Sequence, residues 1–382
     1  MLFVRHSASK LTSIGEMHPG VRADLYQGQA QYVSDANLWR EGISGSPTFH
    51  ACVACDRAPP LAPGELSTYE ENDSHTSKYE EFDHRSPVHP PSRREDWSQY
   101  AYCQYVTKPA YLCNSVMILE ALERLGAQAS RVMMYPQEWN VSANTRTAKQ
   151  LRKACDAYNV QLSPIQIQRA DNDFTWGDSF TKLLAFNLTQ YKRVLSLDSD
   201  ATVLDGMDEL FVTPSTPVAV PRAYWLENVT LSSQLMLIEP SDFEFQRILG
   251  AVSHRTSREF DMDNVNELYG ESCVVIPHRR YNLLTGEFRS SEHHKYLSSK
   301  EEAWDPQKVI DEAKYVHFSD WLLPKPWMPC SDAQILEMQP HCRELEKVQD
   351  CRDREVWLSL YADFKERRRV SPITLSTDLG QF

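Results

Sequence analysis

Apolar segments alternate with amphipathic ones along the second quarter of the chain and beyond. From Tyr100 the segment YAYCQYV is typical of a strand, and apolar residues then recur at helical spacing up to Gly126, a residue type that commonly ends helices. RVMMYP, NVQLSPIQIQ and RVLSL follow as extended segments, separated by predicted helices over 145–158 and 178–190, the second capped by Asp178. This alternation predicts an α/β fold with a mainly parallel central sheet and helices on both faces.

The two ends of the chain differ from this middle part. Short strands are predicted at PVAV, QLMLI, CVVIP and AKYVHF, and an amphipathic helix over 353–369 is expected to pack on the core. Residues 58–94 combine Pro, Ser, Glu, Asp and His with few aliphatic side chains, as disordered linkers do. We therefore predict a low-order N-terminal tail over 1–95, a main domain over 96–330 and a C-terminal helical extension over 331–382.

Charge and hydropathy exclude some partners. The 382 residues carry a formal net charge of −13, which argues against a nucleic-acid partner because phosphate backbones need a basic face. No apolar run approaches the roughly 20 residues that a membrane span needs, and no signal peptide or anchor is visible. We expect neither nucleic acid nor a transmembrane segment in this chain.

Cysteines and sequons bear on the cellular compartment. The cysteine count of nine is odd, and the Cys-x-x-Cys pair at 52–55 lacks the second pair that would close a zinc site. A disulfide among the C-terminal cysteines Cys330, Cys342 and Cys351 is possible. Three glycosylation sequons, at Asn140, Asn187 and Asn228, are compatible with a secretory route, although such triplets also occur by chance.

Three Asp-x-Asp sequences occur, at 171–173, 198–200 and 261–263, and context separates them. Only the second follows a nearly continuous apolar strand, and ligands of open α/β sheets bind beyond the carboxyl ends of such strands. If the strand persisted, Asp198 and Asp200 would point to one side and form part of a Mg²⁺ or Mn²⁺ site. The alternative is a pair of ordinary turn aspartates facing solvent.

Two residues of AKYVHFSDWLLPKPW are candidates to complete such a site. His317 ends an apolar segment, and imidazole joins carboxylates readily on Mn²⁺; its alternative is a core histidine bonded to backbone. Lys325 lies between two prolines and before Trp327, where its cation could neutralise a diphosphate leaving group. The alternative for Lys325 is a solvated surface lysine.

The segment TKLLAFNLTQYKRVLSLDSDATVLDGMDELF resembles the core signature of glycosyltransferase family 8, the glycogenin-like retaining glycosyltransferases. In that family a lysine-bearing helix precedes the strand and the metal-binding Asp-x-Asp. Further blocks resemble the family in the same order over residues 100–330: YVTKPAYLCNSVMILEAL, SSQLMLIEPSDF, DMDNVNELYG and HFSDWLLPKPW. The arrangement, including MMYP and LLTGEF, is most similar to the fungal branch related to α-N-acetylglucosaminyltransferases of the Golgi.

The resemblance implies a glycosyltransferase A-type, Rossmann-like fold for the main domain, and roles for ten residues. The implied metal ligands are Asp198, Asp200 and His317. The implied catalytic residues are Lys182, Asp261 and Lys325, and the implied donor-binding residues are Thr107, Tyr111, Ser233 and Asn266. Thr107 and Tyr111 would contact uridine and Ser233 the donor sugar. Apart from the resemblance, Lys182 is expected to cover the helix surface. The alternative for Tyr111 is simple packing in the core.

The implied activity is metal-dependent transfer of a sugar from a UDP-sugar to a glycan or glycoprotein acceptor, with retention of configuration. UDP-N-acetylglucosamine is the expected donor, with UDP-glucose and UDP-galactose as alternatives, Mn²⁺ or Mg²⁺ the expected ion and the Golgi the expected location. The departing phosphate is expected to deprotonate the acceptor. Alternatives are a non-catalytic sugar-nucleotide-binding relative and a sugar-nucleotide pyrophosphorylase, although YVTKPAY lacks the glycine-rich basic loop that the latter needs.

Three positions depart from the family pattern. Gln234 stands where the family usually has Gly, Met262 where it has Gln, and Asp320 where the glycine of the His-x-x-Gly element would be. The gap before Lys325 is also longer. These departures concern the donor-sugar pocket and the loop over the diphosphate more than the metal ligands.

Overall fold

The computed structural model describes residues 95–167, 178–226, 229–254, 259–345 and 348–370. The predicted tail lies outside these residues except for its last position, as do the Cys-x-x-Cys pair at 52–55, the Asp-x-Asp sequence at 171–173 and Asn228. Among the helices within the described ranges, none combines the length and the apolar character that would let it cross a membrane.

A seven-stranded sheet forms the centre of the fold, in the order β3-β2-β1-β4-β7-β6-β8. Its strands are β1 (Tyr100–Tyr105), β2 (Ser130–Pro136), β3 (Val160–Ile165), β4 (Arg193–Leu197), β6 (Val218–Pro221), β7 (Leu235–Ile238) and β8 (Val274–Ile276). β7 runs antiparallel to both neighbours, and the other pairs are parallel. The predicted α/β fold with a mainly parallel sheet is therefore confirmed.

A smaller three-stranded sheet adjoins the carboxyl end of β4. It consists of β5 (Ala201–Val203), β10 (Tyr315–His317) and β9 (Leu283–Leu284), with β10 in the middle. β10 is antiparallel to β5 and parallel to β9. Because only three residues separate β4 from β5, the chain crosses from the large sheet to the small one at residues 198–200.

Helices cover both faces of the large sheet. The helices of the described residues, on this sheet and elsewhere, are α1 (Pro109–Arg124), α2 (Arg146–Tyr158), α3 (Asp242–His254), α4 (Asp261–Tyr269), α5 (His278–Tyr281), α6 (His294–Leu297), α7 (Pro306–Glu312), α8 (Asp332–Met338) and α9 (Arg352–Val370), with 3-10 helices at Trp97–Gln99, Ser179–Asn187, Asp208–Val212 and Thr285–Arg289. α1 and α2 pack on one face with Leu195 and Leu197. The 3-10 helix at Ser179–Asn187 packs with α3 and α4 on the other face, with Val194. Strand side chains thus alternate between two cores, as a buried central strand requires.

The segment after Asp178 differs from the prediction. It forms a 3-10 helix and not an α-helix to 190, and Asp178 makes no side-chain cap; its carboxylate instead pairs with Lys108 at 3.2 Å. Four consecutive side chains, Phe180 to Leu183, are buried. This buried run includes Lys182, whose side chain is therefore enclosed by the protein.

The C-terminal extension packs against the small sheet. The apolar stripe of α9, including Trp357, Tyr361 and Phe364, joins a third core with Val316 and Phe318, which confirms the predicted amphipathic helix. Before α9, strands β11 (Arg343–Leu345) and β12 (Val348–Asp350) form an antiparallel hairpin.

A disulfide closes this hairpin at its base. It joins Cys342 and Cys351, whose Cα atoms lie 4.4 Å apart, and Cys330 is a free thiol. Of the three C-terminal cysteines for which a disulfide was possible, Cys342 and Cys351 form it.

Candidate active site

The Asp198–Asp200 segment is held by both sheets. The Asp198 amide donates to the Gln234 carbonyl at 2.9 Å, which extends the β4–β7 ladder by one residue. The Phe318 amide donates to the Asp200 carbonyl at 2.9 Å, which continues the β5–β10 pairing one residue beyond the small sheet. β4 does not persist through the segment, and the two carboxylates meet because the two sheets converge here.

Asp200 lies between two cationic or potentially cationic side chains. His317 Nε2 lies 2.9 Å from Asp200 Oδ1, and Lys325 Nζ donates to Asp200 Oδ2 at 2.8 Å. Lys325 Nζ also donates to the Phe318 carbonyl. Burial alone would raise the pKa of Asp200, but His317 and Lys325 together hold that pKa well below its usual range.

Lys182 links the other two aspartates. Its side chain is 4% exposed, and Nζ lies 2.7 Å from Asp198 Oδ1 and 2.9 Å from Asp261 Oδ2. Nζ also approaches the Ser233 carbonyl at 3.4 Å. The expectation that Lys182 covers the helix surface is wrong, because the 3-10 helix turns this side chain inward. Burial would lower the pKa of Lys182, but Asp198 and Asp261 outweigh it and raise that pKa.

The carboxyls around Lys182 have different pKa values. Burial raises the pKa of Asp198 to about 6, since the opposing Lys182 charge is offset by repulsion from Asp200 and Asp261. Burial alone would raise the pKa of Asp261, but Lys182 together with the hydrogen bond from Ser233 outweighs it, so its pKa is lowered. Ionisation of Asp198 is thus the least favourable in this cluster, and a further positive charge nearby would favour it most.

Asp198, Asp200 and His317 suit a divalent cation. Each contributes a possible ligand atom, and these atoms all lie within 4.8 Å of one another. Two carboxylate oxygens with one imidazole nitrogen form a donor set that fits Mn²⁺ and, less closely, Mg²⁺. His317 Nδ1 is buried and has no hydrogen-bond partner among the described residues, and Nε2 faces Asp200. The alternative of a core histidine bonded to backbone is therefore not seen in the described part of the chain.

Two predicted donor-binding residues lie at the β1–α1 turn. Thr107 occupies the turn itself and is half-buried. Tyr111, in the first turn of α1, is half-buried and contacts Trp327 edge to face with ring centroids 5.6 Å apart. Burial raises the pKa of Tyr111, with the Asp200 and Asp178 charges acting in the same direction. The aromatic pair therefore borders the Lys325 side of the site.

The other two predicted donor-binding residues make protein contacts. Ser233 Oγ donates to Asp261 Oδ2 at 2.6 Å and is buried. The Asn266 amide donates to the carbonyls of Leu231 and Met262 and accepts from the Leu231 amide, at 2.7–2.9 Å. In this structure Asn266 fixes the segment that leads into Ser233.

Asp320 has no place in this site. It is buried and accepts hydrogen bonds from the Thr285 and Tyr361 hydroxyls, and Arg289 lies 3.3 Å from its Oδ1. A carboxylate here ties the loop after β10 to α9, which explains why the position does not hold a glycine.

Sequence reasoning missed two tyrosines. The Tyr105 hydroxyl donates to Asp198 Oδ1 at 3.3 Å, and Lys182 Nζ lies 5.9 Å from the centre of its ring. The Tyr315 hydroxyl lies 3.0 Å from the Asp198 carbonyl and 3.2 Å from that of Gln234. The only available signal was position, since Tyr105 ends β1 and Tyr315 lies two residues before His317.

The fold and the site together define an α/β protein with a carboxylate–histidine centre beyond the strand ends of its main sheet. No family model matches the chain. A Gibberella zeae protein named glucose N-acetyltransferase 1 is 51% identical over 284 residues, which are 72% of this chain and 62% of that protein. The Aspergillus fumigatus protein of the same name is 44% identical over 309 residues, covering 75% of this chain and 80% of the relative. The chain belongs to the glucose N-acetyltransferase 1 family.

The overlap with these relatives is partial. This chain spans less than two thirds of the length of the Gibberella zeae protein. Among solved structures, the apo form of the glycosyltransferase GlyE of Streptococcus pneumoniae TIGR4 is similar, with a TM-score of 0.45 and 15% identity over 75% of this chain and 66% of GlyE.

Proposed function

We propose that this protein is a metal-dependent retaining glycosyltransferase of the family 8 type, which transfers a sugar from a UDP-sugar to a glycan or glycoprotein acceptor. UDP-N-acetylglucosamine is the first candidate donor, ahead of UDP-glucose and UDP-galactose. The observation that carries the proposal is the convergence of Asp198, Asp200 and His317 beside Lys325 at the carboxyl edge of the sheet.

In this proposal Asp198, Asp200 and His317 hold Mn²⁺ or Mg²⁺. The ion, when bound, supplies Lewis-acid stabilisation of charge that develops on the UDP leaving group. Asp198 is anchored through its amide to the large sheet and Asp200 through its carbonyl to the small one. These backbone hydrogen bonds therefore fix the positions of both aspartates before a ligand binds, which lowers the reorganisation needed for catalysis.

The two lysines have different tasks. The side chain of Lys325 is 29% exposed, so its ammonium can move from Asp200 to an oxygen of a bound diphosphate. The prolines on both sides of Lys325 restrict its backbone and keep the residue beside the site. Lys182 is enclosed and bonded to two carboxylates, so we assign it the positioning of Asp198 and Asp261. We assign no protein base, in keeping with deprotonation of the acceptor by the departing phosphate.

A donor screen tests the proposal. Purified protein with Mn²⁺ is offered UDP-N-acetylglucosamine, UDP-glucose, UDP-galactose, a GDP-sugar and acetyl-CoA, and release of UDP, GDP or CoA is measured. Acetyl-CoA is included because the relatives' name, read literally, denotes acetyl transfer. We expect UDP release that depends on the metal, that is lost in Asp200→Asn and that persists in Asp156→Asn, an exposed aspartate of α2.

The other results would point elsewhere. Binding of UDP-sugar with no hydrolysis and no transfer to any glycan would favour the non-catalytic alternative. Pyrophosphate-dependent release of a sugar phosphate would favour a pyrophosphorylase, and CoA release would support acetyl transfer. Equal affinity for UDP- and GDP-sugars by calorimetry would remove the assignment of Thr107 and Tyr111 to uridine.

We also infer that the protein works in the lumen of the secretory pathway, such as the Golgi. The Cys342–Cys351 disulfide supports this, because disulfides persist in oxidising compartments and not in the cytosol. Asn140 supports it independently, since the asparagine of this sequon is exposed beyond β2 and its Oδ1 accepts from the Ser142 amide at 2.9 Å. Asn187, in contrast, is only half-exposed at the end of its 3-10 helix.

Expression in a secretory host tests this inference. We expect protein carrying an N-glycan whose removal by peptide N-glycosidase lowers the mass, and loss of that shift in Asn140→Gln. Free-thiol labelling under denaturing conditions should leave Cys342 and Cys351 unmodified until a reductant is added. Protein that stays unglycosylated at Asn140 with both thiols free would argue against a lumenal location.

A further inference from the structure

Gln234 lies beside the candidate metal ligand Asp198, and the strand register between β7 and β4 fixes that position. β4 and β7 pair antiparallel with Leu197 opposite Leu235 and Ser196 opposite Met236. The hydrogen bond from the Asp198 amide to the Gln234 carbonyl carries this ladder one pair further. Side chains of directly opposed residues share a face and lie about 5 Å apart at Cβ, so the Gln234 and Asp198 side chains are neighbours.

The shared face is the one that carries Lys182. Val194, four residues before Asp198, and Met236, two residues after Gln234, contribute to the same core as the 3-10 helix that bears this lysine. Lys182 in turn contacts Asp198 and the carbonyl of Ser233, the residue before Gln234. Gln234 therefore lies next to the pair that Asp198 and Lys182 form.

The side-chain amide of Gln234 has an unused acceptor. The residue is half-buried, while its Oε1 is buried and has no hydrogen-bond partner among the described residues. Leaving a buried carbonyl oxygen unpaired costs free energy, and such exceptions in native structures are often explained by function. The Gln234 backbone, in contrast, is fixed: its carbonyl also lies 3.2 Å from the Tyr315 hydroxyl. Gln234 thus combines a fixed backbone with an unpaired side-chain acceptor on a residue that neighbours Asp198.

We propose that Gln234 Oε1 accepts a hydrogen bond from a hydroxyl or amide N–H of the sugar moiety of the donor, which makes Gln234 a specificity-determining residue. This proposal rests on the proposed function. An acceptor is suited to the sugar because hydroxyl and acetamido groups donate hydrogen bonds, whereas the diphosphate only accepts them. A site built around such an acceptor binds poorly any ligand that leaves it unpaired.

Binding experiments with and without the sugar test the assignment. Kd values for UDP and for UDP-N-acetylglucosamine are measured by calorimetry with saturating Mn²⁺, for wild type, Gln234→Met and Gln234→Glu. Met matches the length of Gln but has no oxygen, whereas Glu retains an acceptor. Gln349→Met, at an exposed position of β12, serves as the matched control.

We expect Gln234→Met to weaken UDP-N-acetylglucosamine binding roughly tenfold, as the loss of one hydrogen bond would. Its Kd for UDP should stay within about twofold of wild type, and Gln234→Glu should retain tighter sugar-nucleotide binding than Gln234→Met. Parallel loss of UDP and Mn²⁺ affinity would instead make Gln234 a part of the metal centre, and no change in either Kd would make it structural; both results overturn the assignment. If wild-type protein binds no UDP-sugar, the proposed function fails as well, and this outcome is seen before any variant is compared.

Discussion

Replacement of Lys182 by methionine tests how the buried charges of the site are balanced. The ammonium contacts Asp198 at 2.7 Å and Asp261 at 2.9 Å, and none of the three side chains is more than 14% exposed. Removing one partner of a buried pair typically costs about 3–5 kcal/mol, because the remaining charge is left uncompensated. Here two carboxylates lose their cation, so we expect a loss of free energy of unfolding at or near that range.

The predicted loss is measurable in two ways. For a domain of this size, about 3–5 kcal/mol corresponds to a decrease in Tm of roughly 6–20 °C. Lys182→Met should therefore unfold at clearly lower denaturant concentration and temperature than Lys149→Met, an exposed lysine of α2. Adding Asp261→Asn to Lys182→Met should recover part of the loss, because one of the two stranded charges is then gone.

The pH dependence gives a further check. Lys182 lowers the pKa of Asp261 and opposes the raised pKa of Asp198, so without it both carboxyls bind protons more tightly in the folded than in the unfolded state. Stability then falls as pH rises above the unfolded carboxyl pKa near 3.9. The deficit of Lys182→Met should be small at about pH 4 and largest at neutral pH. A variant with wild-type stability at neutral pH, or a deficit independent of pH, would refute this account.

Three further outcomes are expected. Asp200→Asn and His317→Ala should each weaken Mn²⁺ binding and abolish its cooperativity with UDP. The double variant should bind Mn²⁺ little more weakly than either single variant, because both changes remove ligands of one site. Unchanged Mn²⁺ affinity in Asp200→Asn, measured by calorimetry, would exclude the shared site. Burial raises the pKa of Asp198 to about 6, and a carboxyl must be deprotonated to bind a metal ion. Mn²⁺ affinity should therefore decline as pH falls below about 6. Constant Mn²⁺ affinity between about pH 5 and 8 would contradict the role of Asp198 as a ligand. Tyr361→Phe removes a hydrogen bond to the buried carboxylate of Asp320, so it should cost about 1.5–3 kcal/mol in denaturant unfolding with metal affinity unchanged; a loss of metal affinity at full stability would contradict the structural role of Asp320.

The sequence predicted those parts of the fold that depend on local pattern. Apolar runs such as RVLSL become buried central strands, and the spacing of Val356 to Phe364 becomes the face of α9 that packs on the core. Asp198, Asp200 and His317 could be selected as site residues because each follows or ends such a strand, and strand ends meet at one edge.

The rest depends on contacts between distant positions. The partners of Lys182 lie 16 and 79 residues away along the chain, so spacing alone suggested a surface lysine. The crossing of the chain between two sheets at residues 198–200 likewise has no local signature, because the apolar pattern of β4 and β5 does not show which sheet each strand joins. For Gln234, the free acceptor becomes visible only when the partners of neighbouring polar atoms are known.

Because the chain crosses between the two sheets at residues 198–200, a ligand bound by Asp198 and Asp200 can resist separation of the sheets. The Asp198 amide donates to the Gln234 carbonyl beside β7, and the Asp200 carbonyl accepts from the Phe318 amide just after β10. A ligand that holds both carboxylates therefore acts as a cross-link between the large sheet and the small one, and through Tyr361 and Phe364 the small sheet is packed against α9. Opening of α9 away from the body of the protein then has to compete with ligand binding. Amide hydrogen exchange in α9, remote from the site in sequence, should accordingly slow when Mn²⁺ and UDP are added together.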